Sequence, residues 1–209
     1  MKAKSAFIGV LFCVLAGHAA PSPAKLYSGL ERHLQSLKSL EVRYDAEGTN
    51  IAAGGVSGRL IWLRPKTFYH DTPEWTLCEI GGEQWRYLKS QNMLIREMAD
   101  ARERWTPEGV LFDLGKGFRP QSVDEQGDGT CLLKLTSGDG SLPGTVTLQF
   151  PPEAGVPDQI HFELADGTVT NYGITEWNEN LTVDSELFTP PDVPAENVID
   201  FRAAREGAR

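Results

Sequence analysis

This sequence is poor in the residues that do chemistry: 209 residues hold three cysteines and four histidines. Three of the histidines, His33, His70 and His161, stand far apart with no HExxH spacing, which excludes a zincin-type site. No G-x-S-x-G elbow occurs, nor any P-loop or dinucleotide fingerprint, so the commonest hydrolase and nucleotide-binding chemistries are excluded too. The run Asp124-Glu125-Gln126-Gly127-Asp128-Gly129 has the look of a calcium loop, but Gln126 and a leucine (Leu135) at the twelfth place spoil the ligand set, and it reads as a turn. Positive charge is also short: 20 Lys and Arg face 29 Asp and Glu, a formal charge of −9. That balance argues against nucleic acid, whose binding rests on neutralising phosphates, and against an anionic membrane surface. The longest apolar run, Ala6 to Ala16, falls well short of the ~20 residues a spanning helix needs. No cofactor and no metal are implied, and the chain is read as a binding or carrier protein rather than an enzyme.

What is present begins with an address. Lys2 and Lys4 precede the apolar run, and small residues follow it, with cleavage expected after Ala19. Residues 1–19 are thus read as a signal peptide, 20–202 as one domain and 203–209 as a flexible tail. Cys13 belongs to the address, and Phe12 before it does not suit lipid modification. Cys78 and Cys131 remain, and in an oxidising compartment they are candidates for a disulfide that spacing alone cannot decide.

Ser22-Pro23 is a cap followed by a residue pre-set for the first helical turn. Leu26, Leu30, Leu34 and Leu37 then recur at helical spacing, predicting an amphipathic helix from about Ala24 to Ser39. From Glu41 the period becomes two. Strand-like runs follow at Val56–Arg64, Thr67–Asp71, Trp75–Ile80, Glu83–Leu88 and Met93–Met98, punctuated at Gly54-Gly55, Pro65, Pro73 and Gly81-Gly82. Thr106-Pro107 opens a short helix carrying Val110, Leu111 and Leu114, which Gly115 ends. Further runs at Phe118–Asp124, Thr130–Ser137, Thr145–Phe150, Gln159–Leu164 and Thr168–Trp177 bring the count to about eleven strands. The expected class is α+β, mainly β: an antiparallel meander with helices to one side. Large apolar residues crowd the first half, at Leu60, Trp62, Phe68, Trp75, Leu77, Trp85, Tyr87 and Leu94. Periodicity is compatible with a filled core or with a curved sheet that encloses a lined space, and favours the core.

Three stretches stand out: Ser57-Gly58-Arg59-Leu60-Ile61-Trp62-Leu63-Arg64-Pro65-Lys66-Thr67-Phe68, the Gly81-Gly82 turn with Trp85 and Tyr87, and Asp184-Ser185-Glu186-Leu187-Phe188-Thr189-Pro190-Pro191-Asp192-Val193. In this order they resemble the LolA family of periplasmic lipoprotein carriers. The first is similar to its G-x-L-x-x-x-R-P-x-x-F strand-turn-strand, the second stands where the family has Asp-Gly before an aromatic strand, and the third resembles its closing F-x-x-P-x-G-V. The likeness runs from about Leu26 to Val193. It implies an incomplete, strongly curved antiparallel β-barrel whose helices form a lid over an apolar cavity, and it turns the aromatic strands into candidate lining. Leu60, Trp62, Trp75, Leu77, Trp85, Tyr87, Leu94, Val110 and Leu111 are the candidates for that acyl-chain cavity.

The resemblance also implies that Arg64, at the family's R-P arginine, is a latch holding the empty lid shut, and that Phe68 stands at the cavity mouth. His70 replaces an aromatic residue there and is expected to face solvent. The implied function is ferrying acylated lipoproteins through the periplasm to the outer membrane. The implied partners are an ATP-driven inner-membrane extractor and an outer-membrane acceptor, and the carrier is expected to be a monomer. A carrier of another lipid or glycolipid, or a lipid-sensing regulator, is the alternative on the same fold.

Overall fold

The computed structural model describes residues 22–49, 51, 53–99, 106–112, 114–138 and 144–202. Residues 1–19, read above as a signal peptide, and 203–209, read as a tail, lie outside them. Ser22 caps helix α1 (Pro23–Ser36), its hydroxyl accepting from the Lys25 N–H. The helix stops three residues before the expected Ser39. Leu37 is already extended, at ψ 143°, and swings the chain into β1 (Ser39–Gly48).

The first meander continues through β2 (Val56–Leu63), β3 (Thr67–Asp71), β4 (Trp75–Ile80), β5 (Glu83–Leu88) and β6 (Met93–Met98). The expected single central helix is two short ones, α2 (Pro107–Phe112) and α3 (Leu114–Gly117). A second meander follows: β7 (Phe118–Glu125), β8 (Cys131–Ser137), β9 (Gly144–Phe150), β10 (Gln159–Leu164) and β11 (Val169–Glu179). The chain ends with an unforeseen β12 (Val198–Asp200).

All twelve strands form one open sheet, in the order β12-β6-β5-β4-β3-β2-β1-β11-β10-β9-β8-β7. Every neighbour is antiparallel except β12, which lies parallel to β6. The two meanders are sewn together by β1 and β11, so β6 and β7 lie at opposite sides of the sheet. Of the connection between them, the described helices α2 and α3 pack on one face, where Val110, Leu111 and Leu114 join the same apolar cluster. Helix α1 joins them, packing on β7 and β8.

Strand alternation sorts side chains to two faces. On the helix face, Leu40, Val42, Leu60, Trp62, Leu133, Leu135, Val146, Leu148, Ile160 and Phe162 meet Leu30, Leu34, Val110, Leu111 and Leu114 from the helices. The opposite face is covered by the C-terminal strap, residues 183–198. There a register row of Ile61, Tyr69, Cys78 and Trp85 crosses four strands. Phe188, Val183, Leu187 and Val193 of the strap pack on it, and Trp85 Nε1 donates to the Phe188 carbonyl at 3.2 Å.

Nearer β1, this second face turns ionic. Glu41, almost fully buried, accepts from Arg59 at 2.8 Å and from Arg43 at 3.2 Å. Burial pushes its pKa up, but the Arg59 hydrogen bond and charge, joined by Arg43, outweigh that and hold it below the usual carboxylate range.

One glycine explains a motif. A Cβ at Gly58 would fall 2.2 Å from the Tyr44 phenol ring, so only glycine lets Tyr44 lie flat across β2. From there the Tyr44 hydroxyl reaches His70 Nε2 at 2.5 Å.

Candidate functional site

The contact that joins α1 to the sheet is built from a turn. Strand β2 ends at Leu63, and the cis Arg64-Pro65 bond follows. The Arg64 backbone is held there by its N–H to the Lys38 carbonyl at 3.1 Å. Its guanidinium then reaches the C-terminal end of α1, where the Leu34 carbonyl already accepts from the Leu37 N–H at 3.3 Å and has a second lone pair to offer. Nε donates to the Leu37 carbonyl at 2.8 Å and a terminal nitrogen to the Leu34 carbonyl at 3.1 Å. A positive charge at the negative pole of a helix is favourable in addition to these bonds. The guanidinium also lies 4.7 Å from the Trp62 ring centroid. On its other side the Trp62 ring stacks on Phe112 of α2, with centroids 5.3 Å apart and planes 8° from parallel. Arg64 thus touches both helical covers, α1 by hydrogen bonds and α2 through the aromatic stack.

Helix α1 is tied at its other end as well. The Tyr27 hydroxyl sits 2.8 Å from the carbonyls of both Leu114 and Phe118, joining α1 to α3 and β7. Burial, with Glu31 nearby, pushes this phenol up to about 12, so it stays a proton donor. In the last turn of α1, His33 meets Glu179 of β11 at 2.7 Å, and Trp177 Nε1 donates to the same carboxylate oxygen.

Beneath these helices, among the described residues, the expected open cavity is not formed. Side chains beside a void wide enough for an acyl chain would keep accessible surface, yet Leu60, Val110 and Leu111 are at most 2% exposed. Apolar side chains of β1, β2, β8, β9 and β10, with those of the helices, fill the space instead. What opens to solvent is a recess of about 40 Å³ at the rim, walled by Leu34, Trp62, Arg64, Leu111, Phe112 and Leu114.

The candidate lining residues divide between the faces. Leu60, Trp62, Val110 and Leu111 come together under the lid, with Phe68 half-buried against the same cluster. Trp75 and Leu77 share that face further along: Trp75 meets His70 edge-on at 4.6 Å, and Leu77 lies opposite His70 in the β3–β4 register. Trp85, Tyr87 and Leu94 do not join them. Strand parity sends these three to the opposite face, under the strap. His70, expected at the surface, is 5% exposed and buried against Tyr44 and Trp75. Beyond Phe68 the helix face turns polar: Glu79, Gln84 and Glu97 continue its register row, and Gln84 donates to Glu97 at 3.0 Å.

The two cysteines are free. Cys78 lies fully buried under the strap and Cys131 packs against the helix-face cluster, so the sheet itself separates them. Among the described residues no group of three His, Cys, Asp or Glu is placed to hold a metal ion, and no helix is long and apolar enough to cross a membrane. Sequence reasoning overlooked Tyr27, Phe112 and Tyr44. Each is a lone aromatic in an otherwise ordinary segment, and only their tertiary partners mark them.

No family model matches the sequence, and no curated protein does. Among solved structures, an uncharacterised conserved protein from Thermus thermophilus superposes with a TM-score of 0.54 at 13% identity, covering 85% of this chain and 98% of that one. That likeness shows the fold: one broad, open, mainly antiparallel sheet with helices against one face. A LolA superfamily protein from Nitrosomonas europaea superposes at 0.46, with 13% identity over 82% of this chain and 99% of that one. The lipoprotein LppX of Mycobacterium tuberculosis gives 0.42, with 16% identity over 78% and 99%.

Proposed function

We propose that this chain is a lipid carrier of the periplasm, in its closed, unloaded state, and that its cargo is the acyl anchor of lipoproteins. The observation that carries the reading is the pair of hydrogen bonds from Arg64 to the last carbonyls of α1. They tie a helical cover to the sheet through one turn residue, at the position where the sequence resembles the LolA latch.

The energetics suit such a device. Each methylene leaving water gains about 0.8 kcal/mol, so an acyl anchor does not cross an aqueous space bare. A filled interior has to be opened before it can take that anchor. Opening parts the helices from the sheet, breaks the two Arg64 bonds and separates Trp62 from Phe112. Closing again regains those contacts and expels the cargo. The latch therefore lowers the affinity for cargo, which favours release to an acceptor and leaves loading to an outside source of energy. An ATP-driven extractor in the inner membrane is the donor of this reading, and an acceptor at the outer membrane its recipient.

Replacing Arg64 tests it. Arg64→Leu removes both bonds while keeping an apolar stem, so the variant is expected to take up a tri-acylated lipoprotein at least as well as the parent chain and to deliver it poorly. Transfer between donor and acceptor vesicles measures this; undiminished delivery overturns the latch. Mass spectrometry of molecules co-purifying from the periplasm identifies the cargo, and another lipid or glycolipid there would replace lipoproteins in the reading.

A further inference from the structure

A second recess lies on the strap face, away from the lid. It has a volume of about 440 Å³, within the range of small-molecule sites, and opens to solvent between the β4–β5 hairpin, β6 and the strap. Its walls are Ile80, Trp85, Phe188 and Pro190. The floor is rigid: Trp85 and Phe188 are both buried and are pinned to each other by the indole hydrogen bond. The rim is apolar and wet, for Ile80 is 46% exposed.

Charge decides what such a recess takes. Three charged side chains line it: Glu83, Arg96 and Arg202. Arg202 is already engaged, binding Asp200 at 2.6 Å and Glu83 at 3.0 Å. Arg96 is different. It stands beside Trp85 in the β5–β6 register and opposite Asp200 in the β6–β12 register, yet among the described residues no hydrogen bond or ion pair engages its guanidinium. Asp200, the nearest opposite charge, turns both its oxygens to Arg202. Arg96 acts on Asp200 through charge alone, so its guanidinium keeps its hydrogen-bond donors for another acceptor. Arg202 is answered by Asp200 and Glu83, which leaves Arg96 as the lining cation whose hydrogen-bond donors are unused. One carboxylate matches the free guanidinium fork, and a second negative charge would meet Glu83.

We infer that this recess is a binding site for a singly charged amphipathic anion, a medium-chain carboxylate whose head pairs with Arg96 and whose tail lies on Trp85, Phe188 and Pro190. The site is independent of the lid: it uses the opposite face of the sheet and shares no residue with the recess beneath Arg64.

The test titrates the full chain with octanoate, octanol and octylammonium while the tryptophan indole N–H signals are followed by NMR, the Trp85 signal being assigned from Trp85→Phe. Octanoate is expected to shift the Trp85 signal with about tenfold higher affinity than octanol, the size of one charge-assisted hydrogen bond, and octylammonium to bind more weakly still. Arg96→Gln should bring octanoate down to the level of octanol, and Ile80→Glu, at an exposed rim position that the fold does not need, should weaken octanoate selectively. Arg64→Leu should change none of these. Equal binding of the three probes, an Arg96→Gln chain that keeps the preference for octanoate, or octanoate signals confined to Trp62 would each overturn the assignment. Because the lid variant is read in the same titration, failure of this site and failure of the carrier reading give different patterns.

Discussion

The two faces of the sheet are both covered, but by different means. On the helix face the cover is made of separate helices held at points: Arg64 and the His33–Glu179 pair at one end of α1, Tyr27 at the other. On the strap face the cover is continuous chain, seated by Phe188 and finished by β12 paired along β6. Point attachments release one after another, whereas a strap that is also a strand must give up its ladder and its side-chain packing together. The helices also bury Leu30, Leu34, Val110, Leu111 and Leu114 in the larger apolar cluster, so it is the proposed function, in which the helix face opens and the strap face stays, that this contrast bears on.

The sharpest way to break that contrast is to remove the strap's anchor. Phe188→Ala empties a buried aromatic site and exposes the Trp85 indole, and it is expected to cost about 3–5 kcal/mol of global stability, read from urea unfolding. A loss below about 1 kcal/mol would mean that the strap is no firmer than the lid. Next in size is Gly58→Ala on the helix face. The added methyl must push the Tyr44 ring off β2 and away from His70, at a cost of about 1–3 kcal/mol. Loss of the Tyr44–His70 contact should also be visible as a changed His70 ring signal by NMR, and an unchanged signal would show that the ring adjusts in place.

The smallest effect concerns the two thiols, one on each face. Cys78 is fully buried, and burial, with Glu79 nearby, pushes its thiol up to about 12; Cys131 is raised less and is partly exposed. At neutral pH an aromatic disulfide reagent should label Cys131 in the folded protein and Cys78 only on global unfolding. Because both pKa values lie above the ordinary thiol value, labelling of Cys131 should quicken as pH rises, while Cys78 stays protected across the neutral range. Equal rates would show that the strap breathes as readily as the lid.

Much of this arrangement was legible in the sequence where punctuation was dense. Strands β3 to β6 fall where Pro65, Pro73 and Gly81-Gly82 said they would, because proline and glycine fix turns without help from tertiary packing. Which face a side chain joins was not legible. Trp62 and Trp85 look alike in sequence, and only the register of β2 through β5 separates them. A one-residue difference in register exchanges the two faces, and hairpin turns set that register more than composition does. Strand β12 was invisible for another reason: three residues cannot display a period, and its parallel pairing depends on a strap that must first find Trp85. The state of the interior was the hardest to read, since leucines that fill a core and leucines that await a ligand are the same leucines.

The open sheet also has two margins, and each is blunted. Along one, β12 adds only three residues before Asp200 and Arg202 bring charge to the exit. Along the other, β7 carries Pro120, which has no N–H to offer, and its pairing with β8 is dislocated between Pro120 and Ser122. A surface of twelve strands that never closes on itself would ordinarily recruit a thirteenth from a neighbour. Here neither border presents a long straight run of amides, so an unclosed sheet offers a neighbouring strand little to pair with.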